Sequence, residues 1–124
     1  MAKYATIHLQ LRPGTNIAVL DMMLYYIIKD GMTKEDFIEA RTEGYEEFKR
    51  NILNINLDDL EKVSGVPREQ VRAAAKLYAS APKAMLFHGL GVTEHYQGTY
   101  TAVSYTHLDV YKRQVGESEG ASIF

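Results

Sequence analysis

Residues 5–20 read ATIHLQLRPGTNIAVL, and the fold turns on them. Ile7, Leu9 and Leu11 alternate with Thr6, His8 and Gln10, the two-residue period of a strand with one buried face. Arg12-Pro13-Gly14-Thr15-Asn16 then breaks the period. From 17 to 29 the chain is apolar almost all round, with Asp21 the main exception. That is the composition of a helix enclosed by other elements. Thr15 or Asn16 is the expected N-cap, and Gly31 the residue just past the end.

Working outward, Thr33-Lys34-Glu35-Asp36 reads as a second helix start with acidic residues in its first turn. Tyr45, Phe48 and Ile52, spaced three and four apart, predict a third helix. Asn56 is placed to cap a fourth, which carries Leu57, Leu60 and Val63 and ends at Gly65. Pro67 suits the first turn of a fifth, with Val71, Ala74, Ala75 and Tyr78 on its inner face. Ala81-Pro82 stops it, and Ala84-Met85-Leu86-Phe87 is short and apolar like a buried parallel strand. Gly89-Leu90-Gly91 is the turn that follows. Strand, helices, strand is the rhythm of an α/β fold with parallel-type strands at 5–11 and 84–88 and crossover helices between them. Two strands make a poor sheet, so the unit reads as a section of a larger layered domain.

Composition narrows the functional classes. In 124 residues, 46% are hydrophobic and 24% charged, with a formal net charge of -2, ordinary for a globular protein. Without a block of like charge, nothing favours nucleic acid or an anionic membrane surface as a partner. No apolar run is long enough to span a bilayer, and the start, Met1-Ala2-Lys3-Tyr4, does not read as a signal peptide. Cysteine is absent, which excludes disulfides, thiolate metal sites and cluster ligands within these residues and fits a cytoplasmic setting.

The character changes at Val103. Residues 103–114, VSYTHLDVYKRQ, read blandly as a Tyr-rich strand pair around Leu108-Asp109. They are also the translation of gtctcttatacacatct followed by agatgtgtataagagacag. With ct in front, which an Ala codon at 102 supplies, that DNA is a perfect inverted repeat. It resembles two transposon ends of the kind used in sequencing libraries, joined head to head. The expectation is therefore that 1–101 is the genuine domain portion and that 102–124 is an artefactual, disordered tail.

Three stretches carry a family resemblance. ATIHLQLRPGTNIAVL is similar to the segment of molybdopterin oxidoreductases in which a strand ends in a Pro-Gly-Thr-Asp-like turn before a long buried helix. FIEARTEGYEEFK resembles the formate dehydrogenase version of the next region. SGVPREQVRAAAKLYASAPKAMLFHGLGVTEHYQG matches the helix, strand and glycine loop that come after it. Order and spacing agree from about Ala5 to Thr99. The resemblance implies an internal section of the large subunit of a cytoplasmic formate dehydrogenase, which oxidises formate to carbon dioxide by two electrons. Its cofactors would be molybdenum or tungsten on a bis(molybdopterin guanine dinucleotide), with a [4Fe-4S] cluster. Its partners would be the rest of its own catalytic subunit and electron-transfer subunits. The metal ligand and the cluster cysteines belong to regions outside this stretch, so the 124 residues alone are expected to be inactive and no catalytic or metal-ligating residue is assigned.

What the section would contribute is cofactor binding. Gly14, Thr15 and Asn16 close a strand and open a helix. Glycine permits close backbone approach and a helix start offers free N–H groups, although on the residues alone a plain helix cap explains them. The resemblance gives the turn a guanosine contact, with Asn16 in place of the commoner Asp; an amide oxygen accepts without charge. Leu90 and Glu94 fall where the family has a Met-like and a Gln-like cofactor contact, with changed chemistry. A lone GxG there is a weak signal, since position 94 is not glycine. His8 lies on the polar side of its strand, and His88 and His95 flank the glycine turn with no carboxylate at metal-ligand spacing, so none is assigned a metal or general-base role. The competing function is a DNA-binding helix-turn-helix over 57–78, where Arg68, Gln70 and Arg72 open the second helix. The balance of Asp58, Asp59, Glu61 and Glu69 against Lys62, Arg68, Arg72 and Lys76 leaves no basic footprint for phosphates. A small helical interaction module is the third reading, marked by independent folding of 1–101.

Overall fold

The computed structural model describes residues 2–112, and among them every regular element is a helix. A 3-10 turn at Ala2–Tyr4 precedes α1 (Asn16–Lys29), α2 (Glu35–Arg41), α3 (Tyr45–Leu53), α4 (Leu57–Ser64), α5 (Arg68–Ser80), α6 (Leu90–Thr93) and α7 (Gly98–Lys112). Helix α1 is the hub. It packs against α5, α7, α4 and α3, which explains why Met22, Leu24 and Ile27 are at most 1% exposed. No helix among the described residues is long and apolar enough to cross a membrane.

The expected α/β sheet is not there. No strand occurs among the described residues. The side-chain alternation at 5–11 is real, since Ile7, Leu9 and Leu11 are half-buried while Thr6, His8 and Gln10 are exposed. Alternation fixes only which way side chains face. A strand also needs a neighbour to take its backbone hydrogen bonds, and this stretch has none. It lies along the helices instead: Leu9 and Leu11 pack on the cluster of Val19, Met22, Val66 and Val71, and the Arg12 N–H donates to the Ser64 carbonyl at 3.0 Å. Residues 84–88 fail as a buried strand for a second reason, because Met85 and Phe87 are 69% and 83% exposed.

The helices read from sequence hold, with small changes at their ends. Asn56 caps α4, its side-chain oxygen accepting from the Asp58 and Asp59 N–H groups at 3.1 and 3.4 Å. Gly65 ends α4 with φ of 73°, a left-handed conformation that costs glycine least. Pro67 sits one residue before α5 rather than within it.

Residues 102–112, expected to be a disordered tail, instead form most of α7, whose Leu108 and Tyr111 join the core built on Leu24, Ile27 and Ile28. Asp21 on α1 hydrogen-bonds Ser104 of α7, and the Tyr78 hydroxyl on α5 donates to the buried Asp109 carboxylate. Residues 113–124, the remainder of that expected tail, lie outside the described residues.

Candidate functional site

The turn before α1 is held at both ends. Arg12 reaches back to the end of α4, where its guanidinium donates to the Lys62 carbonyl and, at 3.2 Å, to the Val63 carbonyl. A cation at a helix C-terminus meets the negative end of the dipole and satisfies carbonyls that the helix leaves open. Gly65 makes room for it, because a Cβ there would come within 3.2 Å of Arg12 Nε.

Gly14 is the pivot, with φ of +82°. Thr15 occupies the cap position of α1, yet its hydroxyl donates to the Arg12 carbonyl at 2.7 Å and does not cap the helix. Asn16 is the first helical residue and not the cap. The first hydrogen bond into the helix is Val19 N–H to the Thr15 carbonyl, at 3.3 Å. The N–H groups of Asn16, Ile17 and Ala18 thus have no partner among the described residues, which leaves the positive end of a 14-residue helix open to an acceptor.

The second loop comes to the same place through a histidine that the sequence reading weighed and gave no role. His95 lies against Gly14: a Cβ built on Gly14 would be 3.3 Å from His95 Cε1. Glu94, the residue before it, is exposed at the end of α6, and Leu90 is 68% exposed at the start of that short helix. Of the expected site residues, Gly14 is therefore brought against His95, the residue that follows Glu94, with Leu90 one helical turn further back. Nothing in the composition around His95 marks it. Its signal is purely spatial, a ring resting on a glycine 81 positions earlier in the chain. The Nδ1 atoms of His95 and His88 are buried without a hydrogen-bond partner, and Tyr105 stacks on His88. No group of three or more potential metal ligands occurs among the described residues.

The helix-turn-helix candidate has its arginines engaged. Arg68 pairs with Asp58 and with Glu61, the latter at 2.6 Å, and its hydrogen bonds hold the Glu61 carboxyl below the usual carboxylate range. Arg72 grips Asp30 with both arms of its fork, at 3.0 and 3.1 Å, and lies over the Tyr26 ring. Both guanidiniums serve packing contacts within the bundle.

Comparison with known proteins gives the class first. The fold matches acetylene hydratase from Pelobacter acetylenicus with a TM-score of 0.86 at 24% identity, over 94% of this chain and 16% of that one. No protein-family model matches the chain. Sequence relatives include formate dehydrogenase H of Escherichia coli, 35% identical over 94% of this chain, and the assimilatory nitrate reductase catalytic subunit of Bacillus subtilis, 30% identical over 93%. The chain is a homologue of a section of the molybdopterin oxidoreductases. Within them it is related to the formate dehydrogenase alpha subunits, among which F420-dependent formate dehydrogenase 2 subunit alpha of Methanococcus maripaludis is 38% identical over 93% of the chain. It spans about a sixth of the length of these relatives.

Proposed function

We propose that this chain is a section of a formate dehydrogenase catalytic subunit and forms part of the wall that binds a guanine dinucleotide. The observation that carries the reading is the uncapped start of α1, where the N–H groups of Asn16, Ile17 and Ala18 have no partner among the described residues and the preceding Gly14 lies against His95. The residues fit such a group. The backbone amides would meet an acceptor oxygen, Gly14 lets the chain turn without a side chain in the way, and the Asn16 amide has both an acceptor and donors for the edge of a base. Leu90 and Glu94 would line the opposite side. When bound, a bis(molybdopterin guanine dinucleotide) with molybdenum or tungsten would supply the two-electron chemistry of formate oxidation, assisted by a [4Fe-4S] cluster and electron-transfer subunits. The residues described here bind and orient, and none of them is given a part in the chemical step.

The test uses the intact enzyme. Asn16→Ala removes one hydrogen bond to a neutral base, which costs about 0.5–1.5 kcal/mol, several-fold in cofactor affinity. Because Asn16 follows the cap position, the substitution leaves the cap backbone untouched. Cofactor content per subunit should fall while turnover per bound metal stays near its starting value, and Asn16→Asp should retain content. A fully loaded Asn16→Ala enzyme with a large drop in turnover per metal would remove the turn from guanosine binding.

A further inference from the structure

We infer that His95 is a positioning residue for the turn at 12–16, fixing the backbone from which the open α1 amides project. The inference rests on the reading of that turn as part of a guanine-dinucleotide wall. Gly14 has no side chain, and its φ of +82° is one that other residues adopt under strain. Left alone, such a residue would be among the freest points of the chain. It is not left alone, because the Cε1–Nε2 edge of His95 covers the side where a Cβ would project, at 3.3 and 3.7 Å from that position.

His95 is itself fixed by the corner between α6 and α7. Its carbonyl accepts the Gly98 N–H at 2.7 Å. Gly98 is buried, and a Cβ there would stand only 2.7 Å from the Thr93 carbonyl oxygen. Only glycine permits that corner, the corner sets His95, and His95 sets Gly14. On the other flank Arg12 ties the turn to the end of α4. The turn is thus gripped between two elements distant in sequence, and its amides are ordered before any ligand arrives, which reduces the cost of binding. The contact is steric. No hydrogen bond joins either ring nitrogen to the turn among the described residues, and Nδ1 is buried without a partner. A phenylalanine ring should therefore do the same work without an unsatisfied nitrogen.

The experiment titrates guanosine diphosphate into the full 124-residue chain and follows the amide resonances of Asn16, Ile17 and Ala18. These should shift in the unsubstituted chain. His95→Ala should weaken the titration several-fold and His95→Phe should restore it. Without nucleotide, amide hydrogen exchange at Asn16–Ala18 should rise in His95→Ala, while exchange at the α4 cap, Asp58 and Asp59, stays unchanged. Equal affinity in His95→Ala overturns the inference and leaves the guanosine reading standing. Failure of His95→Phe to restore binding overturns the steric role, and so does faster exchange at both places or loss of cooperative melting, either of which marks a residue serving the whole fold. No shift with nucleotide in the unsubstituted chain sinks the guanosine reading, and this inference falls with it.

Discussion

Helices α1 and α7 lie side by side, share one core and differ by a single residue in length, yet they are built on opposite plans. Helix α1 buries Ala18, Val19, Met22, Leu24, Tyr26, Ile27 and Ile28, and its one acid, Asp21, is half-buried on the side of α7. Helix α7 buries Thr101, Ser104 and Asp109 alongside Tyr105, Leu108 and Tyr111. The polar groups of α7 find partners both near and far: Thr101 donates to the Gln97 carbonyl one turn back, Ser104 meets Asp21, and Asp109 accepts from Tyr78. A helix enclosed by hydrophobic neighbours is specified by its own residues. A helix that buries polar groups is specified by what other helices bring to it.

The largest expected effect comes from removing one member of the pair. Cutting the chain after Thr101 strips Leu108 and Tyr111 from the core they share with α1 and removes the buried Tyr105. Reopening that surface should cost on the order of 5 kcal/mol, comparable to the whole stability of a small domain. A melt followed by circular dichroism should show the cooperative transition lost or moved far down in temperature. A truncated chain as stable as the full one would mean that α1 does not depend on α7. The sequence reading of a foreign tail favours that second outcome. We propose independently that 103–114 derive from a library junction, which amplification of an uninterrupted coding sequence from unsheared genomic DNA would refute.

A smaller effect probes the acid in the apolar member. Burial pushes the Asp21 carboxyl up from its ordinary 3.8 to about 6, and the Ser104 hydrogen bond only partly opposes this. Below 3.8 the group is protonated in both folded and unfolded chains and carries no penalty. Between 3.8 and about 6 the folded chain holds a proton that the unfolded chain has released, so stability falls as pH rises. Above that window the loss is complete. Asn at this position has no charge to bury. Discounted for solvent screening, Asp21→Asn should stabilise the chain at neutral pH by on the order of 1–2 kcal/mol. In urea unfolding the two curves should converge below pH 4, roughly the unfolded carboxylate pKa. A constant offset at every pH would show that the acid's charge is not what matters.

The smallest effect tests the long-range partner. Tyr78→Phe removes the hydroxyl that Asp109 accepts from and should cost about 1 kcal/mol. Urea unfolding at neutral pH reads it. No change would mean that Asp109 is satisfied elsewhere and that α7 depends less on α5 than the contact suggests.

This contrast also explains what could be read in advance. Tyr45, Phe48 and Ile52 on α3, and Asn56 and Gly65 at the ends of α4, announce their helices through spacing and cap chemistry, which are local. Of the proposed site, Gly14, Thr15 and Asn16 were legible as a turn into a helix. Their confrontation with His95 was not, because it depends on the Gly98 corner. Residues 5–11 misled because a two-residue period reports facing and says nothing of a hydrogen-bonding neighbour. Residues 103–112 were set apart on the DNA they translate, and otherwise read as a strand pair around Leu108-Asp109; the helix they form was not legible because Ser104 and Asp109 meet Asp21 and Tyr78, partners far away in sequence.

Arg12 joins the turn to the end of α4 through its side chain and its backbone N–H, and the link has a reciprocal consequence. Whatever free energy α4 lends to keeping the turn in shape, a ligand on the turn must return to α4, since coupling between two sites is the same from either side. Occupancy at Asn16 should then be detectable as slower unfolding around Lys62 and Val63, residues that touch no ligand at all.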